Sequence, residues 1–363
     1  MIRKHRLKPI EIALLVVPLC GLAFASWRMK NRPEPPRPYK PPMYRPPMYS
    51  VTDLGISAGR SLISDMNDQA EVVGAWSISS TTWRPVVWRN REMNFIGTGT
   101  GGAHAINNAG DIVGEMQMPK GKACAFLWRK GKSQNLRALS GLSSSAFDIN
   151  NKGEIVGSIF IDRKTSAQPP IIHAFLWKNG RLSDISPPNS DFNQAFAISD
   201  SSEIVGLDSS RGRGMSWKNA VPVRLEKSWD AQDINNKGVI LGKGNVRGME
   251  LCIWRNGHQE AVRFEKGVET GLVYSHCMND QGQIVGTAQR QIAKPFRVFA
   301  FMHVNGQAYD LNDRILTNSW YLKAASAINN RGQIAGEGTL NGKRRFFLLT
   351  PITSRVPQQS STR

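Results

Sequence analysis

Two stretches of this 363-residue chain spell motifs that carry chemistry in other settings. Gly55-Ile56-Ser57-Ala58-Gly59 has the spacing of a nucleophile elbow, in which a strained strand-to-helix turn lifts a serine toward a carbonyl. Gly97-Thr98-Gly99-Thr100-Gly101-Gly102 contains Gly-x-Gly-x-x-Gly, which cradles a pyrophosphate only where a helix begins next. Neither has that context: residues 60–66 show no helical period, and residues 103–108 read as a strand and a turn. Both are expected in loops.

The other candidate donors are equally plain. His104 and His276 share one position of a repeat, which favours packing over ligation, and His173 and His303 have no partner at ligand spacing. Calcium loops need carboxylates at alternate positions, and the asparagine-rich turns mostly lack them. Cys20, Cys124, Cys252 and Cys277 form no Cys-x-x-Cys pair, so neither a disulfide framework nor a zinc site is expected. No catalytic residue, cofactor or metal is assigned.

What recurs is a phrase that builds structure. Its turns open at Asn67, Asn107, Asn150, Ser199, Asn235, Asn279 and Asn329, spaced 36 to 50 residues apart, a period that fits four short strands. A small-x-x-apolar strand precedes the turn, as at Ala103 to Ile106, Ala146 to Ile149, Ala231 to Ile234 and Ala325 to Ile328. Asparagine and glycine then make a hairpin, because asparagine tolerates left-handed backbone and glycine takes positive φ freely. The second strand is Ile-Val-Gly or a variant, with its glycine at Gly74, Gly114, Gly157, Gly206, Gly242, Gly286 and Gly336. A fixed glycine inside a strand implies a bulge or a close backbone approach. The third strand, Ala125 to Trp128 or Ala174 to Trp177, is apolar on both faces, as a strand packed on both sides must be. Asn-Gly turns at 179–180, 256–257 and 305–306 lead to a weaker fourth strand.

The seventh copy lacks its fourth strand, and YSVTDLG at 49–55 is similar to the fourth strand AYDLN at 308–312. Pairing of residues 51–54 with 345–349 would complete that copy and leave no open edge. The expected fold is all-β, a seven-bladed β-propeller spanning residues 50–351, with a polar tail at 352–363.

His173-Ala174-Phe175-Leu176-Trp177 and Ala-x-x-Ile-Asn-Asn-x-Gly-x-Ile-Val-Gly resemble the HAF repeat, found in a family of predicted bacterial extracellular proteins. The match runs in register over residues 50–350. The literal His-Ala-Phe stands only at 173–175, and the fourth copy departs to SDSSEIVG. The resemblance implies an exported β-repeat protein and brings no activity with it.

Export is also read from the start of the chain. A basic flank at 1–9 precedes a mostly apolar helical run at 10–27, which is either an uncleaved membrane anchor or a signal cleaved after Ala25. Residues 28–49 are proline-rich and extended, a stalk. Either alternative places the body on the periplasmic or extracellular side.

Function then rests on charge. The net charge is +19, and the first 50 residues hold ten basic residues against two acidic ones, which leaves the body strongly basic. In a propeller the tight hairpins share one face and the longer loops the other. The connections between second and third strands carry Arg84, Lys120, Lys122, Arg163, Lys164, Arg211, Arg213, Lys243, Arg247, Arg290, Lys294, Arg297, Lys343 and Arg344. Acids there are Glu115, Asp162, Asp208, Glu250 and Glu337. Such a face suits an anionic polysaccharide, lipid headgroups or an acidic protein, with binding that fades in salt. Trp76 and Trp83 are the loop tryptophans beside it. Nucleic acid would need more aromatics for stacking, and export argues against it. The expected function is a non-enzymatic binding scaffold. The alternatives are a polysaccharide hydrolase or lyase at the channel mouth and a structural envelope or matrix element.

Overall fold

The computed structural model describes residues 46–118, 122–136, 142–161, 171–210, 212–245, 249–264, 268–269, 277–290 and 297–352. They form seven antiparallel sheets, the blades of a β-propeller. Blade 1 consists of Leu62–Met66, Val72–Ser77, Trp83–Arg89 and Glu92–Phe95. Blades 2 to 6 follow over residues 101–135, 143–184, 193–224, 233–261 and 268–310. In blade 6 two short strands, Val268–Glu269 and Cys277–Met278, share the inner position beside Ile284–Arg290. Blade 7 consists of Trp320–Ile328, Ile334–Leu340 and Lys343–Pro351, and Tyr49–Ile56 lies antiparallel beside the last of these with Val51 opposite Leu349. That strand begins at Tyr49, a residue the sequence reading assigned to the stalk. Tyr49 is buried, and its hydroxyl donates to Met302 Sδ at 3.4 Å. Residues 1–45, with the apolar run at 10–27, lie outside the described residues. No helix among the described residues is long and apolar enough to cross a membrane.

The two-faced third strand explains how blades stack. Successive side chains of a strand point to opposite faces. In blade 2, Ala125 and Leu127 join a core shared with blade 3, while Phe126 joins the core shared with blade 1. Each of six apolar clusters among the described residues spans two neighbouring blades, including one between blades 1 and 7 with Trp88, Ala327 and Phe346. Tryptophans at the end of the third strand also donate to the preceding blade. Trp88 Nε1 reaches the Leu54 carbonyl at 3.1 Å and Trp217 Nε1 the Ile185 carbonyl at 2.7 Å.

The repeated glycine answers to both of its expected causes. A Cβ at Gly157 would overlap the Ser145 carbonyl oxygen, and the same overlap meets a first-strand carbonyl at Gly74, Gly114, Gly206, Gly242 and Gly336. The close approach comes from a register shift in the first strand, as between Ala146 and Asp148. The same shift occurs between Ile63 and Asp65, Ala103 and Ala105, Ala195 and Ala197, and Ala325 and Ala327.

Candidate binding face and central channel

On the hairpin face the turns of all seven blades surround the channel mouth. Each turn asparagine works twice. Asn107 Oδ1 accepts from the main-chain N–H of Ala109 and of Asp111, both at 3.0 Å, and its Nδ2 donates to the carbonyl of Asn150 in the next blade at 3.1 Å. Asn67, Asn150, Asn279, Asn235 and Asn329 donate likewise, and Asn329 returns to the Asn67 carbonyl. Ser199 has no amide to give. Its Oγ accepts from Glu203 N at 3.2 Å and the junction to blade 5 lacks this bond.

The next residue of each turn builds a second ring. Its main-chain N–H donates to the side-chain oxygen of its counterpart one blade on, at 2.7–2.9 Å. The relay runs from Asp68 through Asn108, Asn151, Asp200, Asn236, Asp280 and Asn330 back to Asp68. Four basic residues on this face pair with acids, Arg89 with Glu71, Arg129 with Asp111, Lys178 with Glu154 and Lys218 with Glu203, while Lys152, Lys237 and Arg331 in the turns are exposed with no acidic partner among the described residues.

Three carboxylates that the sequence reading did not single out stand on the innermost strands just before these turns. Asp65 and Asp148 follow the first-strand bulge in blades 1 and 3, Asp233 holds the equivalent position before the turn in blade 5, and Ala105 and Ala197 occupy it in blades 2 and 4. Asp148 accepts at Oδ1 from Ile149 N at 2.7 Å and at Oδ2 from Ile198 N of blade 4 at 2.7 Å. Asp65 and Asp233 take the corresponding N–H groups of Ile106 and Met278, so each clamps a pair of blades. Asp65 lines the channel mouth, and burial pushes the three carboxyls up to about 7, 8 and 6 for Asp65, Asp148 and Asp233. Main-chain donors pull each partly back. Burial also raises the Cys277 thiol, which shares this level of the channel. The signal for these residues was available as an Asp-Ile or Asp-Met pair before the turn.

On the first strands of blades 2 to 4, His104 Nδ1–H donates to the Ala146 carbonyl at 2.9 Å, His104 stacks on Phe147, and Phe147 lies tilted against Phe196, each pair 6.0 Å between ring centres. This fits the packing role read for His104; His276 lies outside the described residues. His303 takes the place of a third-strand tryptophan, buried with neither ring nitrogen bonded among the described residues. Neither catalytic spelling gains its context. Ser57 is buried just after a strand, and Gly101 opens a strand rather than a helix. No group of histidine, cysteine or acidic side chains among the described residues is placed to hold a metal.

On the loop face, strands run further than expected and carry several of the predicted basic residues at their tips. Trp76 and Trp83 are therefore strand residues, not loop residues. Trp76 stands opposite Arg84 and packs on the core between blades 1 and 7, and Trp83 Nε1 donates to the Arg60 carbonyl at 3.3 Å. Arg84 stacks on Phe95 at 4.0 Å and donates to the Gly97 carbonyl. Arg290 and Arg297 lie over Phe299 and Tyr321 at 5.2 and 4.8 Å. Arg344 pairs with Glu337 at 2.7 Å. Lys122 is exposed and engaged locally. Arg213 and Lys343 are exposed and Lys243 half-buried, each side chain without a polar partner among the described residues. Lys120, Arg163, Lys164, Arg211, Arg247 and Lys294 lie outside them. Of the loop acids, Asp208 is buried and accepts from Ser190 Oγ at 2.9 Å.

No family model matches this chain, and no curated protein does. Solved structures match in fold. The β-propeller domain of the Trilobed protease from Pyrococcus furiosus, described as having an open velcro topology, aligns with TM-score 0.53 and 11% identity over 84% of this chain and 98% of that one. An acylaminoacyl peptidase of Pyrococcus horikoshii aligns with TM-score 0.52 and 11% identity over 79% of this chain, which spans 52% of that protein. The WD40 propeller domain of Doa1 gives TM-score 0.43 and 13% identity over 83% of this chain and 96% of that one. At such identities the likeness is one of architecture alone.

Proposed function

We propose that this protein is an exported, non-enzymatic propeller whose loop face docks an anionic envelope or extracellular polymer. Residues 10–27 and the proline-rich segment after them would tether it, and the Tyr49–Ile56 strand would act as the clasp of the ring. The HAF-repeat resemblance supports export. One observation carries the docking reading: Arg213, Lys243 and Lys343 stand on the loop face of blades 4, 5 and 7 with no acid paired to them among the described residues. Unmatched cations spread around a ring add many weak attractions that salt screens.

Reversal of Arg213, Lys243 and Lys343 to glutamate tests this. Binding of the purified protein to acidic polysaccharide and to anionic vesicles should weaken at least tenfold at low salt. Binding that is unchanged across a salt series overturns the reading.

A second reading, hydrolysis or lysis of polysaccharide in the channel, draws on Asp65, Asp148 and Asp233. Carboxyls raised to about 6–8 are what general acids need. Against it, each already accepts main-chain N–H groups across a blade junction. Glycan cleavage that Asp148→Asn abolishes, with the fold intact, would promote this reading.

A further inference from the structure

On the loop face of blade 6, a depression of about 240 Å3 opens beside the 3-10 turn Leu311–Arg314 that leads on to blade 7. Phe299 and Phe301 form its buried floor, with Phe264 edge-on to Phe301 at 4.9 Å. Arg290 lies over Phe299, and Arg314 lies over Tyr309 at 5.3 Å. Asp310 and Asp313 complete the lining. Asp310 Oδ1 caps the turn by accepting from Asn312 N at 2.9 Å. Arg314 Nε is buried and meets no acceptor among the described residues.

The composition narrows the ligand. Two guanidinium groups balance two carboxylates, so a bare phosphate or sulfate gains little net attraction. An acyl chain would strip water from four charged groups, which is costly. A pyranose uses every part. Its C–H face packs on an aromatic ring, its hydroxyls donate to carboxylates, and its oxygens accept from guanidinium donors, for which Arg314 Nε is unspent. The volume lies just below the range of about 300–1,000 Å3 typical of small-molecule pockets, which suits a single ring. Arg297, opposite Arg290 in the sheet, carries positive charge past the rim.

We propose that this depression is a subsite for one pyranose residue of an acidic polysaccharide, whose flanking carboxylates lie on the surrounding cations. This deepens the loop-face reading and rests on it.

The test is calorimetric titration of the full chain with an acidic oligosaccharide (oligogalacturonate), a neutral one (malto-oligosaccharide) and phosphatidylglycerol vesicles. The acidic oligosaccharide should bind best. Arg314→Ala and Asp313→Asn should each weaken it at least tenfold while leaving vesicle binding within twofold. Asp313 is exposed, so its conservative change keeps the fold testable. Vesicle binding without oligosaccharide binding sinks the subsite and spares the loop-face reading. Binding of neither sinks both. Equal affinity for the neutral oligosaccharide, sensitive to the same two changes, supports the pyranose pocket and overturns the anionic reading. Oligosaccharide binding indifferent to both changes overturns the subsite.

Discussion

At the hub, Asn107 spends its amide on two turn N–H groups and one carbonyl of the next blade, and five other asparagines repeat the arrangement. At the loop face, Arg213 and Lys343 reach solvent with no such commitments. Both regions are polar and both recur from blade to blade. They differ in whether neighbouring blades supply the partner. Where a polar group is buried at a junction, leaving it unpaired is costly and the residue type is held constant. Where water supplies the partner, the residue can vary, and a ligand can take water's place.

The sharpest break of this contrast lies at the repeated glycine. Gly157→Ala should destabilise by about 3–5 kcal/mol, seen as loss of soluble protein or a large fall in Tm, since its methyl would meet the Ser145 carbonyl and the Phe175 ring. Next comes the belt: Asn107→Ala removes three hydrogen bonds from a buried site and should cost about 2–3 kcal/mol in denaturant titration. A fall much smaller than this would mean the belt is decoration.

The channel carboxylates set a pH dependence. Asp148 holds its proton up to about 8 in the fold against an ordinary value of 3.8, first because of burial. The native state therefore binds more protons than the unfolded chain between these values. Stability from this group is fully present below about pH 4 and is lost as pH rises toward 8. Asp148→Asn should flatten the fall in Tm over that interval. His303 acts with the opposite sign. Burial lowers it from 6.5 to about 4, so its contribution is lost as pH falls through that window.

Two smaller effects complete the comparison. Ser199→Asn should supply the missing donor to the Asn235 carbonyl and raise stability by about 1 kcal/mol, because the other six junctions show the cradle that an amide needs. A destabilised variant would show that blade 4 has repacked around serine. Arg213→Glu with Lys343→Glu should move stability by no more than about 0.5 kcal/mol while weakening binding. A large loss of stability would turn these two residues into structural ones.

Much of the fold was legible because repetition averages out local ambiguity. Asn-x-x-Gly hairpins, an apolar third strand and a fixed glycine each recur where the blades need them, and a strand before the first repeat supplies what the last one lacks. The site was less legible. Trp76 and Trp83 read as loop residues because Ser77–Trp83 is polar at its centre, yet cross-strand pairing carries both strands up to them. Asp65, Asp148 and Asp233 passed unnoticed because nothing local distinguishes a channel carboxylate from a surface one. Phe264 is distant in the chain from Tyr309 and Arg314, and the AYDLN phrase that holds Tyr309 reads only as a fourth strand.

The sequence by itself determined blade number, strand order and the chemistry of every hairpin, since those depend on contacts within one repeat and on periods of two residues and about 43. It also determined that the body is basic. Tertiary structure alone decided which polar groups remain available, because that depends on partners contributed by the adjacent blade, 36 to 50 residues away along the chain and about 3 Å away in space.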